Sequence, residues 1–214
     1  MTSSAILLAA GESTRMGRPK ALLPWGDSML IEWQIGELRE AGVEDIVVVL
    51  GHDAQAILPA VLHEPHVVIN EEYKQGRASS LRTGAAALPD SADPIVILNV
   101  DQPRPREVHE RLLASHSESS ALITVPASDG KRGHPVIVAG SLLGELREAS
   151  EERLGLHGVL EAHASEVREH AFVMLAHESM ANEPDFAALY IRIDLNTPQD
   201  YEDALTLFGL GLHS

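Results

Sequence analysis

The 214 residues hold 16 Lys and Arg against 32 Asp and Glu, a formal net charge of −16. Such a chain lacks the cation surplus that displaces counterions from nucleic acid or settles on anionic lipid, so neither partner is expected. A hydrophobic fraction of 44 % supports one sizeable core, and the absence of cysteine removes disulfides, iron–sulfur clusters and thiolate chemistry together.

No apolar run reaches the length of a membrane span, and the first residues have no basic-then-apolar leader, so a cytoplasmic protein of one domain over 1–214 is expected. In chain order, Ala5–Ala10 is a continuous apolar run of the kind buried on both faces of a parallel sheet. Ser28–Ala41 follows with a broad apolar stripe that stops at Gly42, a helix ending. Asp45–Leu50 is a second buried strand, Ala54–Leu62 a helix and His66–Asn70 a third strand. Ala78–Leu88 is a helix, Pro94–Val100 a strand, Glu107–His116 a helix and Ala121–Val125 a strand. Beyond residue 126, Val136–Val138 and Ala171–Leu175 read as strands, and Leu142–Ala149 and Val159–Ala162 as helices. Tyr190–Leu195 reads as a last strand before a closing helix at Gln199–Leu207. Alternating β and α segments with helix-length crossovers predict an α/β doubly wound sandwich with a mixed sheet toward its end.

Ligands of open α/β sheets sit beyond the carboxyl ends of the strands, which directs attention to three loops. The first, Leu8-Ala9-Ala10-Gly11 through Lys20, gathers small residues, hydroxyls, Arg15, Arg18 and Lys20 directly after a strand. Small residues let backbone N–H groups approach an oligophosphate while the cations supply charge. Five residues separate Gly11 from Gly17, and Arg-Pro-Lys follows, so this is not a Walker A loop. No Gly-x-Gly-x-x-Gly occurs either, which leaves a nicotinamide oxidoreductase without its fingerprint. The second loop opens with Asp101-Gln102-Pro103, a carboxylate at a strand tip, suited either to a hard divalent cation or to an ordinary turn. The third pairs Asn70 with Gly76-Arg77-Ala78-Ser79-Ser80, whose serines can border a base or cap a helix. Arg77 and Arg82 either add positive potential there or pair with surface acids.

The run Leu-x-x-Gly-x-Ser-x-Arg-Met-Gly-x-x-Lys over residues 8–20 resembles the signature of the molybdenum-cofactor nucleotidyltransferases, and its Leu-Ala-Ala-Gly opening is similar to the cytidylyltransferase-like members. The resemblance implies a three-layer Rossmann-like sandwich with a mostly parallel mixed sheet, of the nucleotide-diphospho-sugar transferase type. It implies a nucleotide-binding half over about 1–105 and an acceptor half over about 106–214. It further implies CTP held by Leu8, Ala9, Ala10, Gly11, Arg15 and Lys20, with Asn70, Gly76 and Ser80 around the base. Arg15, Lys20 and Asp101 would be catalytic, and Asp101 and Asp194 would hold Mg²⁺. Asp194 stands in Ile-Asp-Leu-Asn-Thr-Pro, similar to the family's Asp-Ile-Asp-Thr-Pro, with Asn196 replacing the second acid. Arg132-Gly133-His134-Pro135-Val136 resembles the family element that places Gly133 and His134 by the acceptor, a phosphorylated pterin such as molybdopterin, with a molybdoenzyme or its chaperone as the downstream partner. Gly155-Leu156-His157-Gly158-Val159-Leu160 departs from the family's Gly-Asp-x-Gly-Ala-Arg. Leu160 cannot replace an Arg that binds a phosphate. The departure leaves room for a non-catalytic nucleotide-binding chaperone or sensor, or for a transferase using GTP or a sugar phosphate.

Overall fold

The computed structural model describes residues 2–64, 66–173 and 185–210. Its first half runs β1 (Thr2–Ala9), β2 (Pro24–Trp25), β3 (Ser28–Met29), α1 (Leu30–Glu40), β4 (Asp45–Leu50), α2 (Ala54–Ile57), β5 (His66–Ile69), α3 (Arg77–Ala87) and β6 (Ala92–Asn99). There follow α4 (Arg106–Ser117), β7 (Ile123–Ser128), β8 (Lys131–Arg132), β9 (Val136–Val138), α5 (Leu143–Arg147), α6 (Gly155–Ala162), β10 (Val167–Ala171), α7 (Ala187–Tyr190) and α8 (Pro198–Leu207). The main sheet is ordered β10-β7-β9-β6-β1-β4-β5, with β8 paired to β7. Strands β6, β1, β4 and β5 run parallel, and β9 lies antiparallel between β6 and β7.

Alternation along the buried strands feeds two cores. Ala5, Leu7 and Ala9 of β1 join Val48 of β4 and Leu98 of β6 beneath Ile31, Ile35 and Leu38 of α1 and Leu112 of α4. Ile6, Val47, Val49 and Ile97 turn the other way, under Leu81 and Ala85 of α3 and Leu146 of α5. Two buried faces account for the nearly unbroken apolar runs. Helices on both faces of one mostly parallel sheet make the three-layer Rossmann-like sandwich expected from the sequence.

A third, smaller core unites Met16, Trp25 and Leu30 with Leu195, Tyr201 and Leu205. Through it the loop after β1 packs on α8. The Tyr201 hydroxyl donates to Pro24 O at 2.6 Å, and the exposed Arg18 guanidinium lies 5.7 Å from the Tyr201 ring centre, outside the cleft lining. From β1 the chain builds outward through β4 to β5 and then returns to lay β6 on the other flank of β1. The loops leaving β1 and β6 therefore part in opposite directions and open a crevice between them.

Several expected elements differ. Ser28 and Met29 pair with Trp25 and Pro24 in a hairpin, so α1 begins at Leu30. The helix expected over 54–62 passes after Ile57 into a 3₁₀ turn at Leu58–Val61, where Pro59 lacks the N–H an α-helix needs. The strand expected at Ala171–Leu175 lies earlier, at Val167–Ala171, pairing with β7; residues 174 and 175 lie outside the described residues. Tyr190–Leu195 is not a strand: Tyr190 closes α7, and residues 191–195 follow as a turn and irregular backbone, two of whose carbonyls are bonded within the site.

Candidate active site

The crevice is a cleft of about 510 Å³ lined by the loop after β1, the turn after β6, the start of α3, and the segment before α8. Residues 10–20 follow a path that Ser13 (φ 50°) and Gly17 (φ 68°) make possible by adopting left-handed backbone. The Ser13 hydroxyl accepts from Lys20 N–H at 3.2 Å and its carbonyl accepts from Met16 N–H at 2.9 Å. Met16 is buried in the third core, so the loop is anchored at its middle while Arg15 beside it stays exposed.

Four distant stretches meet in this cleft. Lys20 Nζ donates to Asp101 Oδ2 at 2.7 Å and to Asn196 Oδ1 at 3.3 Å. Arg15 Nη2 donates to the same Asn196 oxygen at 3.1 Å. Gln102 Nε2 donates to Asp194 Oδ1 at 2.8 Å, and Gln102 Oε1 accepts from Asn99 Nδ2 at 2.9 Å, so the tip of β6 orients the second acid. Backbone ties hold the two acid-bearing segments together: Leu195 N–H donates to Asp101 O at 2.8 Å. Behind them Gln34 of α1, fully buried, donates to Val100 O at 2.6 Å.

Leu8, Ala9, Ala10, Gly11, Arg15, Lys20, Gly76, Ser80, Asp101 and Asp194 all line the cleft, together with Asn196. Asn70, Gly133 and His134 do not. Asn70 is buried behind the wall, where its amide donates to Ser79 Oγ at 2.8 Å and Ser80 Oγ at 3.0 Å and its oxygen accepts from Glu72 N–H. It shapes the rim that Ser80 presents. At Gly133 a Cβ would collide with Ile191, so the glycine is required by close packing against the segment before α8. His134 is close enough to Asp101, Asp194, Arg77 and Arg104 to be affected by their charges. Burial first, and the Arg104 charge next, lower its pKa, and its Nδ1 is enclosed without a partner.

Sequence reasoning passed over Arg104. It is 1 % exposed and donates only to main-chain carbonyls: Nε to His134 O at 2.9 Å, Nη1 to Pro103 O and Ile193 O, both at 2.9 Å, and Nη2 to Ile191 O at 2.7 Å. One guanidinium thereby staples the turn after β6, the start of β9 and the segment carrying Asp194. In place of the strand pairing expected at Tyr190–Leu195, the Ile191 and Ile193 carbonyls are taken by Arg104. Burial lowers the Arg104 pKa to about 9, while Asp194 and Asp101 act in the opposite sense and favour the cation.

Oxygen donors alone, Asp101 and Asp194 with Asn196 beside them, suit a hard divalent cation. Among the described residues no group of three or more His, Asp or Glu could hold a metal by itself, so such an ion would complete its shell with water or ligand oxygens. Leu156 and Leu160 are half-buried on the core beneath α3 and offer the cleft no polar group. Among the described residues no helix is long and apolar enough to cross a membrane.

The nicotine blue oxidoreductase of Paenarthrobacter nicotinovorans is 36 % identical over 147 residues, 65 % of this chain and 72 % of that protein. The bifunctional protein GlmU of Syntrophotalea carbinolica is 30 % identical over 125 residues, 57 % of this chain but only 27 % of that much longer protein. Among solved structures, Rv0371c of Mycobacterium tuberculosis H37Rv superposes with a TM-score of 0.75 at 27 % identity, covering 96 % of this chain and 98 % of that one. The same protein is also known as a manganese complex, with a TM-score of 0.71 at 27 % identity, covering 96 % and 99 % of the two chains. The model of the MobA-like NTP transferase domain matches residues 5–167. With that match and the sandwich fold, the chain belongs to the MobA-like NTP transferase family of nucleotidyltransferases.

Proposed function

We propose that the protein transfers CMP from CTP to a phosphorylated acceptor of the pterin type, such as molybdopterin, with Mg²⁺ as cofactor and release of pyrophosphate. The observation that carries this reading is the meeting of Arg15, Lys20, Asp101, Asp194 and Asn196 in one cleft at the β1–β6 switch. An acceptor phosphate oxygen attacks the α-phosphorus, the bond to the β-phosphate oxygen breaks, and the new pyrophosphate link joins acceptor and nucleotide.

Alignment and charge neutralisation supply most of the rate in such a transfer. Arg15 and Lys20 leave their resting partners for the β- and γ-phosphates and offset charge on the leaving group. Backbone N–H groups of the 10–13 segment are available to the same oxygens. Asp101 and Asp194 would hold the divalent ion, which when bound neutralises phosphoryl charge and draws acceptor and nucleotide together. Ser80 and Gly76 bound the base, with Asn70 fixing Ser80 from behind. The half over about 1–105 holds the nucleotide, and residues from the half over about 106–214 complete the site through Asp194 and Asn196.

Incubation with CTP, Mg²⁺ and a molybdopterin extract is expected to release pyrophosphate, and a panel of nucleoside triphosphates to show the largest thermal stabilisation by CTP. Equal stabilisation by all four would overturn the CTP assignment. Binding without pyrophosphate release would favour a nucleotide-sensing chaperone that serves a molybdoenzyme, a reading supported by Leu156 and Leu160 lying in the core. The name of the Paenarthrobacter relative supports an oxidoreductase reading, and the absence of an absorbance change in a separate incubation with a nicotinamide cofactor would dispose of it.

A further inference from the structure

We propose that the acceptor's phosphomonoester is received by the Arg77 guanidinium, assisted by Lys74, on the wall of the cleft formed by residues 73–80. This deepens the transferase reading and rests on it. An acceptor phosphate carries nearly two negative charges into a cleft that already holds a triphosphate, so it needs cations other than those committed to the nucleotide. The helix at Gly155–Ala162 cannot supply one, because Leu156 and Leu160 pack on the core.

The cleft wall does supply them. Arg15, Lys20, Lys74 and Arg77 line the cleft, against the acids Glu12, Asp101 and Asp194. Two of the chain's three lysines are thus concentrated there in a molecule of net charge −16. Arg77 is also oddly placed for a surface arginine. It is the first residue of α3, where the positive end of the helix dipole disfavours a cation. Arg39, Arg82, Arg106, Arg111, Arg132, Arg147 and Arg153 each hold a carboxylate, whereas of the cleft-lining arginines neither Arg15 nor Arg77 does, and Arg15 is held by Asn196. Arg77 has no carboxylate within ion-pair distance among the described residues. The nearest acid along the helix start, Glu151, accepts from Ala78 N–H at 2.6 Å and abuts Gly76, yet makes no ion pair with Arg77. The Arg77 side chain lines the cleft instead. Arg77 lines the same cleft as Asp101 and Asp194, and its charge reaches His134 behind the wall. An unpaired guanidinium in that position fits a phosphomonoester, which it can bind with two parallel hydrogen bonds.

The test uses the full chain loaded with Mg²⁺ and α,β-methylene-CTP, which occupies the nucleotide site without transferring. Inorganic phosphate and glycerol 3-phosphate are then titrated by calorimetry, with glycerol as the uncharged control. Arg77→Gln is expected to weaken both phosphates about tenfold, Lys74→Gln by less, and Arg77→Lys to recover part of the loss. Affinity for the CTP analogue is expected to stay within about twofold in all three variants. Arg77 is exposed, and an unchanged melting temperature shows that the variants fold. Unchanged phosphate binding in Arg77→Gln, no phosphate binding by the wild type, or a loss directed at the CTP analogue each overturns the assignment. Failure of the wild type to bind the analogue at all counts instead against the transferase reading.

Discussion

Acid is expected to weaken the fold through His109, a residue of α4 enclosed directly behind Arg104. Its side chain is fully buried, and neither ring nitrogen has a hydrogen-bond partner. Burial, reinforced by the neighbouring Arg104 charge and only partly opposed by the Arg104 main chain, lowers its pKa from 6.5 to about 3. The unfolded chain takes up a proton near 6.5 that the native imidazole refuses. The folded pKa lies below the unfolded one, so the stability held by the neutral ring is complete above pH 6.5 and drains away as pH falls toward 3. Each pH unit inside that window is worth about 1.4 kcal/mol, which gives a loss on the order of 2 kcal/mol by pH 5. Urea unfolding of the wild type and His109→Phe at pH 7.5 and pH 5.0 measures it. His116, His134 and His170, lowered chiefly by burial, and His163, raised by its hydrogen bonds to Glu166 and Glu145, are present in both proteins and cancel in the comparison. The phenylalanine variant is expected to lose about 2 kcal/mol less than the wild type over this interval. Equal losses in the two proteins would refute the reasoning.

Other predictions concern the site and its support. Lys20→Met removes the ammonium that reaches both Asp101 and Asn196 and is expected to weaken Mg²⁺-dependent CTP binding by about tenfold or more in calorimetry, with little change in melting temperature. Arg104→Met strands four carbonyls, at about 1 to 3 kcal/mol for each that stays buried without a partner, and relieves the cost of a buried cation. Chemical denaturation is expected to show a net loss of a few kcal/mol. Gly133→Ala forces a methyl group against Ile191 and is expected to cost about 1 to 3 kcal/mol, read from the same curves.

The loop after β1 was legible as a lining of the cleft because its pattern is local. A buried strand, small residues and clustered cations follow one another within thirteen positions, and the strand tip at Asp101 announces itself by an apolar run stopped before Pro103. What joins them was not legible. Asn196 reads as a weakened copy of an acid, whereas the structure gives it the task of receiving both Arg15 and Lys20. Arg104 stands in Pro-Arg-Pro-Arg, a run with every mark of a solvated turn, and no local pattern says that three of its four partners are carbonyls from other segments. The same omission produced the strand expected at Tyr190–Leu195: apolar alternation predicts which side chains are buried, not who bonds the backbone. At β10 the difficulty was the reverse. Val-Arg-Glu-His-Ala is too polar to read as a strand, yet as the edge of the sheet it needs only one neighbour.

The resting contacts among Lys20, Asp101, Arg15 and Asn196 make the arrival of a triphosphate an exchange reaction. Lys20 would give up one carboxylate and Arg15 only a neutral amide oxygen, so the phosphates would add ionic contacts while replacing hydrogen bonds already formed. A loop braced in this way by Ser13, Met16 and Asn196 has its path fixed before any phosphate would arrive, so little ordering cost would be left to binding.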